Sequence, residues 1–441
     1  MLERLQSYGT KEALVVSETS YSYADLDLKR LSWLEYFKTH HIDDSPQVIG
    51  VQGDYSLDSI SLLLAIWSVP SIAILIPNSP TNEAELLEEA KVGTLFRFHP
   101  HSPLVIEKSG HKPSHSLLQS LIKQNLPGLI LCSSGSSGRP KAILHNTEKF
   151  LEKFKTATKP FRTLAFLLFD HVAGLDTLLY TFLSGGTLIV PNRRDPAHIC
   201  QIMQDHHVEV LPTSPSFLRL LCISGEDHRH NLSSLQIITY GSEPMDTFTL
   251  ETVHVRFPGV RLIQKYGSTE FGSPRSQARD DQSLWVKLNS EHVQTKVIDN
   301  MLWVKTDSAM MGYLNAPSPQ TEDGWFPTGD EVDVDGEWIR ILGRNSEIII
   351  VGGEKVYPAE VESVICEMES VDDVLVKGEP HILTGNIVVA KVSLNENESI
   401  QPTEKEIRKY CRGRLAPYKI PMKVEFTTKP TWTSRYKKIR A

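Results

Sequence analysis

From its amino terminus to about Leu342 the chain alternates short, buried-type apolar runs with segments of helical period. "LAFLLF" (Leu164–Phe169), "GTLIVP" (Gly186–Pro191), "LQIITYG" (Leu235–Gly241) and "RLIQKYG" (Arg261–Gly267) read as strands. "HICQIMQDHHV" (His198–Val208) and "PSFLRLLCISG" (Pro215–Gly225) read as helices between them. A strand that is apolar on both faces must be covered on both, and a helix between successive strands makes a parallel crossover possible. The alternation therefore predicts an α/β fold: a large N-terminal domain of stacked, mostly parallel α/β sheets.

The longest apolar run, "LLLAIWSVPSIAILI" (Leu62–Ile76), is broken by Ser68, Pro70 and Ser71, too short and interrupted to span a bilayer. It reads as a buried helix followed by a buried strand. A net charge of −8 provides no electrostatic footprint for nucleic acid, and no basic amphipathic stretch suggests a membrane surface. The amino terminus "MLERLQSYGTKEALVV" is charged from its third residue and lacks a signal-peptide core. Five cysteines (Cys132, Cys200, Cys222, Cys366, Cys411) are scattered without metal-ligand spacing, which suits a reducing, cytoplasmic setting.

The texture changes near "GEWIRILGRNSEIIIVGGEKVYPAEVESVICEME". Pro358 suits the first position of a helix on which Val361, Val364, Ile365 and Met368 recur at helical spacing. The strand candidates "DVLVKGE" and "NIVVAKVSL" follow, then a helix opened by a Thr403–Glu406 capping box, with Ile407, Tyr410 and Cys411 on one face. These elements form a small C-terminal α+β domain. The boundary falls at Gly343–Ser346, giving an N-terminal core over 1–343 and a C-terminal domain over 344–441.

One stretch is not made for packing. In "LILCSSGSSGRPKAILHN" (Leu129–Asn146), a strand end runs into Ser133, Ser134, Gly135, Ser136, Ser137 and Gly138, and Asn146 is a fair N-cap for a helix starting at Thr147. Hydroxyls, backbone N–H groups and a nearby cation, Lys141, are what a polyanion such as a triphosphate needs. A Walker-type loop requires Gly-Lys-Ser/Thr, whereas Gly138 is followed by Arg139, Pro140 and Lys141.

"SSGSSGRPKA" resembles the phosphate loop of the adenylate-forming superfamily: acyl-CoA synthetases, adenylation domains of peptide synthetases, and luciferases. Ala142 stands where the family usually has glycine. "YSYADL" (Tyr21–Leu26), "LFDHVAGL" (Leu168–Leu175), "YGSEP" (Tyr240–Pro244), "YGSTEFG" (Tyr266–Gly272), "WFPTGD" (Trp325–Asp330), "GRNSEIIIVGGEKVYPAEVE" (Gly343–Glu362) and "APYKIPMKVEF…TSRYKKIR" follow in the family's order. The resemblance covers nearly the whole chain and is closest to the acyl- or aryl-CoA synthetase branch.

The resemblance implies roles. Tyr266 would stack on adenine, with Gly241, Ser242 and Glu243 on the other face and Gly267 and Ser268 beside it. Thr269 would bind phosphate and Glu270 would bind Mg²⁺. Asp330, assisted by Arg344, would accept the ribose hydroxyls. His171 would gate a pocket for the acid, formed with Phe169, Gly174, Tyr240, Phe271 and Gly272; that register excludes Asp170 and implies an uncharged acyl or aryl carboxylate, not an α-amino acid. Gly352 and Gly353 would flank the pantetheine channel. Lys437 would bridge the carboxylate and the α-phosphate, with Lys438 as its rival, although Arg435 and Tyr436 replace the family's usual small pair. Ser346 stands at the hinge of the mobile C-terminal lid, where the family carries Asp or Lys.

The expected function is ATP- and Mg²⁺-dependent activation of a small-molecule carboxylic acid as acyl-adenylate, with release of pyrophosphate. Transfer to the thiol of CoA, or of a carrier protein's phosphopantetheine acting in trans, would follow. A stand-alone amino-acid adenylation domain and a non-catalytic nucleotide-binding relative are the alternatives; Lys141, Glu270, Asp330, Arg344 and Lys437 together argue against the latter.

Overall fold

The computed structural model describes residues 1–78, 82–99, 102–133, 140–156, 158–280, 282–288, 292–395, 401–433 and 436–438. Two seven-stranded sheets dominate the first two thirds of the chain. The first runs Arg261–Gln264, Ile237–Tyr240, Val210–Thr213, Arg162–Leu164, Thr187–Val190, Glu12–Val16 and Thr19–Ser22, parallel except at its last pair. The second runs Gly312–Tyr313, Lys141–Asn146, Gly128–Ser133, Ile72–Ile76, Val48–Gln52, Val92–Arg97 and Val105–Lys108, with four parallel strands at its centre. Helices Leu57–Ile66 and Val172–Leu183, apolar nearly all round, are buried in one core that joins the two sheets. Among the described residues no helix is long and apolar enough to cross a membrane.

Most of the expected elements are present. "LLLAIWSVPSIAILI" supplies helix Leu57–Ile66 and strand Ile72–Ile76, and "PSFLRLLCISG" forms helix Pro215–Ser224, ended by Gly225 at φ +67°. "LAFLLF" does not: the strand ends at Leu164. Beyond it Phe166 turns to pack on Phe217 at 4.2 Å, and the Leu167 carbonyl accepts a hydrogen bond from the Tyr55 hydroxyl at 2.9 Å.

A second difference lies at the serine-glycine loop. Lys141–Asn146 is a strand paired antiparallel with Gly128–Ser133, so the loop joins a hairpin and does not lead directly into a helix. Asn146 ends that strand and caps helix Thr147–Leu151, its side chain accepting from the Glu148 and Lys149 amides.

An antiparallel six-stranded sheet follows: Ser276–Ala278, Trp285–Leu288, Trp338–Arg344, Phe326–Asp335, Met301–Thr306 and Val293–Ile298. Its strand Trp338–Arg344 leads through the turn Asn345–Glu347 into Ile349–Val351 of the last sheet. That sheet carries Glu354–Val356, the long hairpin Val371–His381 with Gly385–Leu394, and Lys423–Phe426. Helix Pro358–Cys366 starts on its proline, and the Thr403–Glu406 capping box opens helix Glu404–Cys411. Val361, Ile365, Ile407 and Cys411 are buried in a separate core, whereas Met368 lies beyond its helix and Tyr410 is half-buried.

Candidate active site

A cavity of about 1000 Å³ opens at the carboxyl ends of three neighbouring parallel strands, where Thr213, Tyr240 and Gln264 sit in register. Open α/β sheets place ligands there because the connecting loops diverge at the strand ends. The loops meet so closely that side chains are excluded at two points. A Cβ on Gly241 would lie 2.4 Å from the Lys265 carbonyl, and one on Gly267 would lie 2.3 Å from that of Gly272. Ser242, also in the cavity wall, holds a left-handed φ of +74°.

On one side of the cavity Tyr266, Asp330 and Arg344 form a chain. Asp330 and Arg344 are opposed across an antiparallel strand pair. The Tyr266 hydroxyl donates to Asp330 Oδ2 at 2.7 Å, and Arg344 Nε lies 3.4 Å from Oδ1. Burial pushes the Asp330 carboxyl up from its ordinary range, and the Arg344 guanidinium and the Tyr266 hydroxyl pull it back. Arg344 lines the cavity itself, as do Thr328 and Gly329 beside Asp330.

Gly267, Ser268, Thr269 and Glu270 form the next stretch of wall. The Glu270 amide donates to Ser268 Oγ at 3.2 Å, and its Oε1 accepts from the Tyr313 hydroxyl at 3.0 Å. Lys141 Nζ lies over the same tyrosine ring, 4.7 Å from its centroid, so a cation and a carboxylate flank one phenol. Behind them buried His145 donates from Nε2 to the Thr269 carbonyl at 2.8 Å. Burial drops the pKa of this imidazole to about 4, so it is neutral near pH 7. Ser133 and Lys141 reach the cavity, whereas Ser134, Gly135, Ser136, Ser137 and Gly138 lie outside the described residues.

The residues expected around the acid divide into two groups. His171, Val172 and Tyr240 line the cavity. His171 is also the N-cap of helix Val172–Leu183, its Nδ1 accepting from the Ala173 amide at 3.4 Å. Phe169 is instead buried against Tyr55 at 5.2 Å, and Gly174 lets the helix approach the Leu168 carbonyl, which a Cβ would meet at 1.9 Å. Phe271 packs on Tyr266 and Phe326, and Gly272 turns at φ +73° to accept from the Ser268 amide. These four shape the backbone behind the wall. Glu243 also lies off the cavity wall: its carboxylate accepts from the Ser216 amide at 2.7 Å and the Lys438 amide at 3.1 Å.

Both adjacent lysines from the end of the chain line the cavity, but they differ in their partners. Lys437 lies in the cavity wall, its carbonyl accepting from the Thr433 amide at 2.8 Å. Lys438 Nζ turns into the small domain, 3.2 Å from Glu362 and 3.3 Å from Asp373, and donates to the Val374 carbonyl. Tyr436, at φ +51°, crosses the other way. Its ring packs on Phe217 at 5.2 Å and Phe166 at 5.5 Å, its hydroxyl donates to the Arg194 carbonyl at 2.7 Å, and its own carbonyl accepts from Ser214 Oγ at 2.7 Å. Gly352 and Gly353 form an exposed turn at φ +61° and +91°, away from the cavity, and Ser346 is exposed.

Sequence reasoning missed Tyr313, His145, Tyr436 and Glu331. Glu331, nearly buried, accepts from Lys355 at 2.7 Å and from the Tyr357 hydroxyl at 2.8 Å across the boundary of the two domains. None is marked by a local motif; each acts on a partner distant in the chain.

The family model for AMP-binding enzymes matches residues 2–314, and that for the AMP-binding enzyme C-terminal domain matches residues 360–434. A putative acyl-CoA ligase of Bacillus subtilis is 28% identical over 340 residues, covering 71% of this chain and 66% of that protein, just under two thirds. A 2-succinylbenzoate–CoA ligase of Enterococcus faecalis is 26% identical over 403 residues, covering 82% of this chain and 81% of that one. Among solved structures, an anthranilate CoA ligase in complex with anthranoyl-AMP shares the fold with a TM-score of 0.83 at 18% identity, covering 99% of this chain and 95% of that chain. ATP-bound MatB from Rhodopseudomonas palustris superposes with a TM-score of 0.81 at 21% identity, covering 98% and 96%. By the extent of the family match, the chain belongs to the AMP-binding enzymes.

Proposed function

We propose that this chain is an AMP-forming acid–thiol ligase of the cytoplasm. A carboxylate oxygen attacks the α-phosphorus of ATP, the bond to the β-phosphate breaks, and pyrophosphate leaves. The thiol sulfur of CoA, or of a carrier's phosphopantetheine, then attacks the acyl carbon; AMP departs and the thiol proton passes to solvent. The curated relatives' names include acyl- and 2-succinylbenzoate–CoA ligases, which supports the reaction class.

The observation that carries the reading is the convergence of Lys141, Glu270, Arg344 and Lys437 on one cavity. The first step joins two anions, so catalysis there is charge neutralisation and alignment. Asp330 accepts the ribose hydroxyls, Lys141 and Thr269 hold phosphate oxygens, and Lys437 bridges the carboxylate and the α-phosphate. Glu270 would hold Mg²⁺. Among the described residues no cluster of three or more metal-ligating side chains exists, and Mg²⁺ is suited by one or two carboxylates with phosphate oxygens completing its shell. The ion, when bound, neutralises charge on the phosphates. His171 borders the entrance for the acid.

Residues 1–343 form the adenylation core and 344–441 a lid that turns about Ser346. Gly352 and Gly353 lie away from the cavity that Lys437 lines, and the lid must move to bring them to the thiol. Lys437→Ala tests the assignment: acid-dependent pyrophosphate exchange should fall by about 10²–10³, while supplied acyl-adenylate still passes to thiol. Exchange at the wild-type rate would reject it.

A further inference from the structure

The cavity continues beyond the strand ends. Val210 and Ile237, at the starts of their strands, and Thr181 and Ser184, at the end of helix Val172–Leu183, also line it. It therefore runs the length of the face between that helix and the sheet, where the acyl part of a substrate would lie. A slot for a plain hydrocarbon chain would be apolar throughout, because an unpaired charge against it is costly. This slot has a lysine in its wall.

It is Lys265, the residue after strand Arg261–Gln264, whose backbone amide is fixed to the Tyr240 carbonyl at 2.7 Å. Its Nζ lies over the Tyr180 ring, 5.3 Å from the centroid. Among the described residues none accepts a hydrogen bond from it or pairs with it as an ion. The carboxylate that acts on it, Asp176, is already in a buried ion pair with Lys153, which also donates to the Ser273 carbonyl at 3.0 Å. Lys153 and Asp176 neutralise each other, and Arg275 adds further positive charge. Burial and these cations lower the Lys265 pKa, and a carboxylate brought to Nζ would raise it again and hold the amine protonated.

We propose that the acid activated by this protein carries a second carboxylate, which pairs with Lys265 Nζ inside the slot while the first is adenylated. The proposal rests on the ligase reading and replaces the expectation of an otherwise uncharged acyl or aryl chain. A ligand carboxylate would balance the ammonium, and an ester at the same place would leave it buried and unpaired.

The test is acid-dependent pyrophosphate release with α,ω-diacids of four to ten carbons and with carboxyphenyl-alkanoic acids. Each acid is paired with its monomethyl ester, and the wild type is compared with Lys265→Met and Lys265→Arg. At least one diacid should exceed its ester in kcat/KM by about 100-fold. Lys265→Met should abolish or invert that ratio with little loss on the ester, and Lys265→Arg should keep it. The inversion separates recognition from a fold defect, because a damaged fold lowers both acids together. Release driven equally well by the esters, or a ratio unchanged in Lys265→Met, overturns the second carboxylate and leaves the ligase reading intact. No release with any acid overturns the ligase reading, and this proposal with it.

Discussion

Replacing Tyr436 by alanine should slow adenylate formation by about 1000-fold while sparing thiol transfer from supplied acyl-adenylate. The ring is half-buried and belongs to the small domain's last segment, yet it packs in the core of the large one. An aromatic side chain buries about 150–250 Å² when fully covered, so half of that contributes about 2–3 kcal/mol at roughly 25 cal/mol per Å². The rings of Phe166 and Phe217 add about 1 kcal/mol and the hydrogen bond to the Arg194 carbonyl about 1 more. Against this stands the left-handed backbone at φ +51°, which costs a non-glycine residue about 1–2 kcal/mol. Alanine keeps that strain and loses only the contacts, about 4–5 kcal/mol, a population shift of about 10³-fold away from the arrangement in which Lys437 lines the cavity. The backbone strain supplies a control: Tyr436→Gly loses the same contacts but relieves it, and should adenylate about tenfold faster than Tyr436→Ala. Single-turnover measurements of each half-reaction, with ATP plus acid and with acyl-adenylate plus thiol, separate the steps. Parallel losses in both half-reactions, or a glycine variant no better than the alanine one, would refute the reasoning.

Lys438→Met should act on stability and not on chemistry. It strips Lys438 from buried Glu362 and leaves Asp373 paired with Arg219, 3.5 Å away, and should cost about 3–5 kcal/mol in denaturant unfolding of the small domain, with adenylation intact where the protein is folded. His145 is held neutral in the fold, whereas an imidazole in the unfolded chain titrates near 6.5. Its contribution is full above that pH and is lost as pH falls toward about 4, where it amounts to about 3 kcal/mol; His145→Gln should flatten the fall in Tm over that window. Ser346→Pro fixes φ at the turn between the domains, and a folded variant should retain only one half-reaction at the wild-type rate.

Much of the large domain was legible because its sheets are covered on both faces, so buried strands appear as unbroken apolar runs. The same signal misleads at Leu164–Phe169, where apolar residues are buried without being in a strand. Periodicity also cannot tell that Lys141–Asn146 closes a hairpin, since that depends on pairing with Gly128–Ser133 and Gly312–Tyr313. Caps are local chemistry, and Asn146 and the Thr403–Glu406 box were accordingly readable. The site was half legible. Motifs identified the stretches around Glu270, Asp330 and Arg344, but the partners that orient these side chains lie far away in sequence: Tyr313 is 43 residues from Glu270 and Tyr266 is 64 from Asp330. The order Lys437–Lys438 carries no information on which amine the carboxylates of Glu362 and Asp373 hold; the structure gives them Lys438. Lys265 directly follows strand Arg261–Gln264, and nothing local marks it as lining the cavity.

Part of the seam between the domains is polar: Glu331 meets Lys355 and Tyr357, and Arg219 donates to the Asp372 carbonyl at 2.7 Å, while the rings of Phe248 and Tyr436 supply its apolar part. The polar groups can exchange their partners for water when the seam opens, as an apolar interface cannot. The short tether around Ser346 gives each domain an effective concentration at the other in the millimolar range. Cut at that tether, the two halves would bind one another only weakly; joined, a contact of millimolar dissociation constant is closed about half the time. Added salt, by screening the exposed side of the seam, then becomes a dial on how long the chain dwells in each half of its cycle.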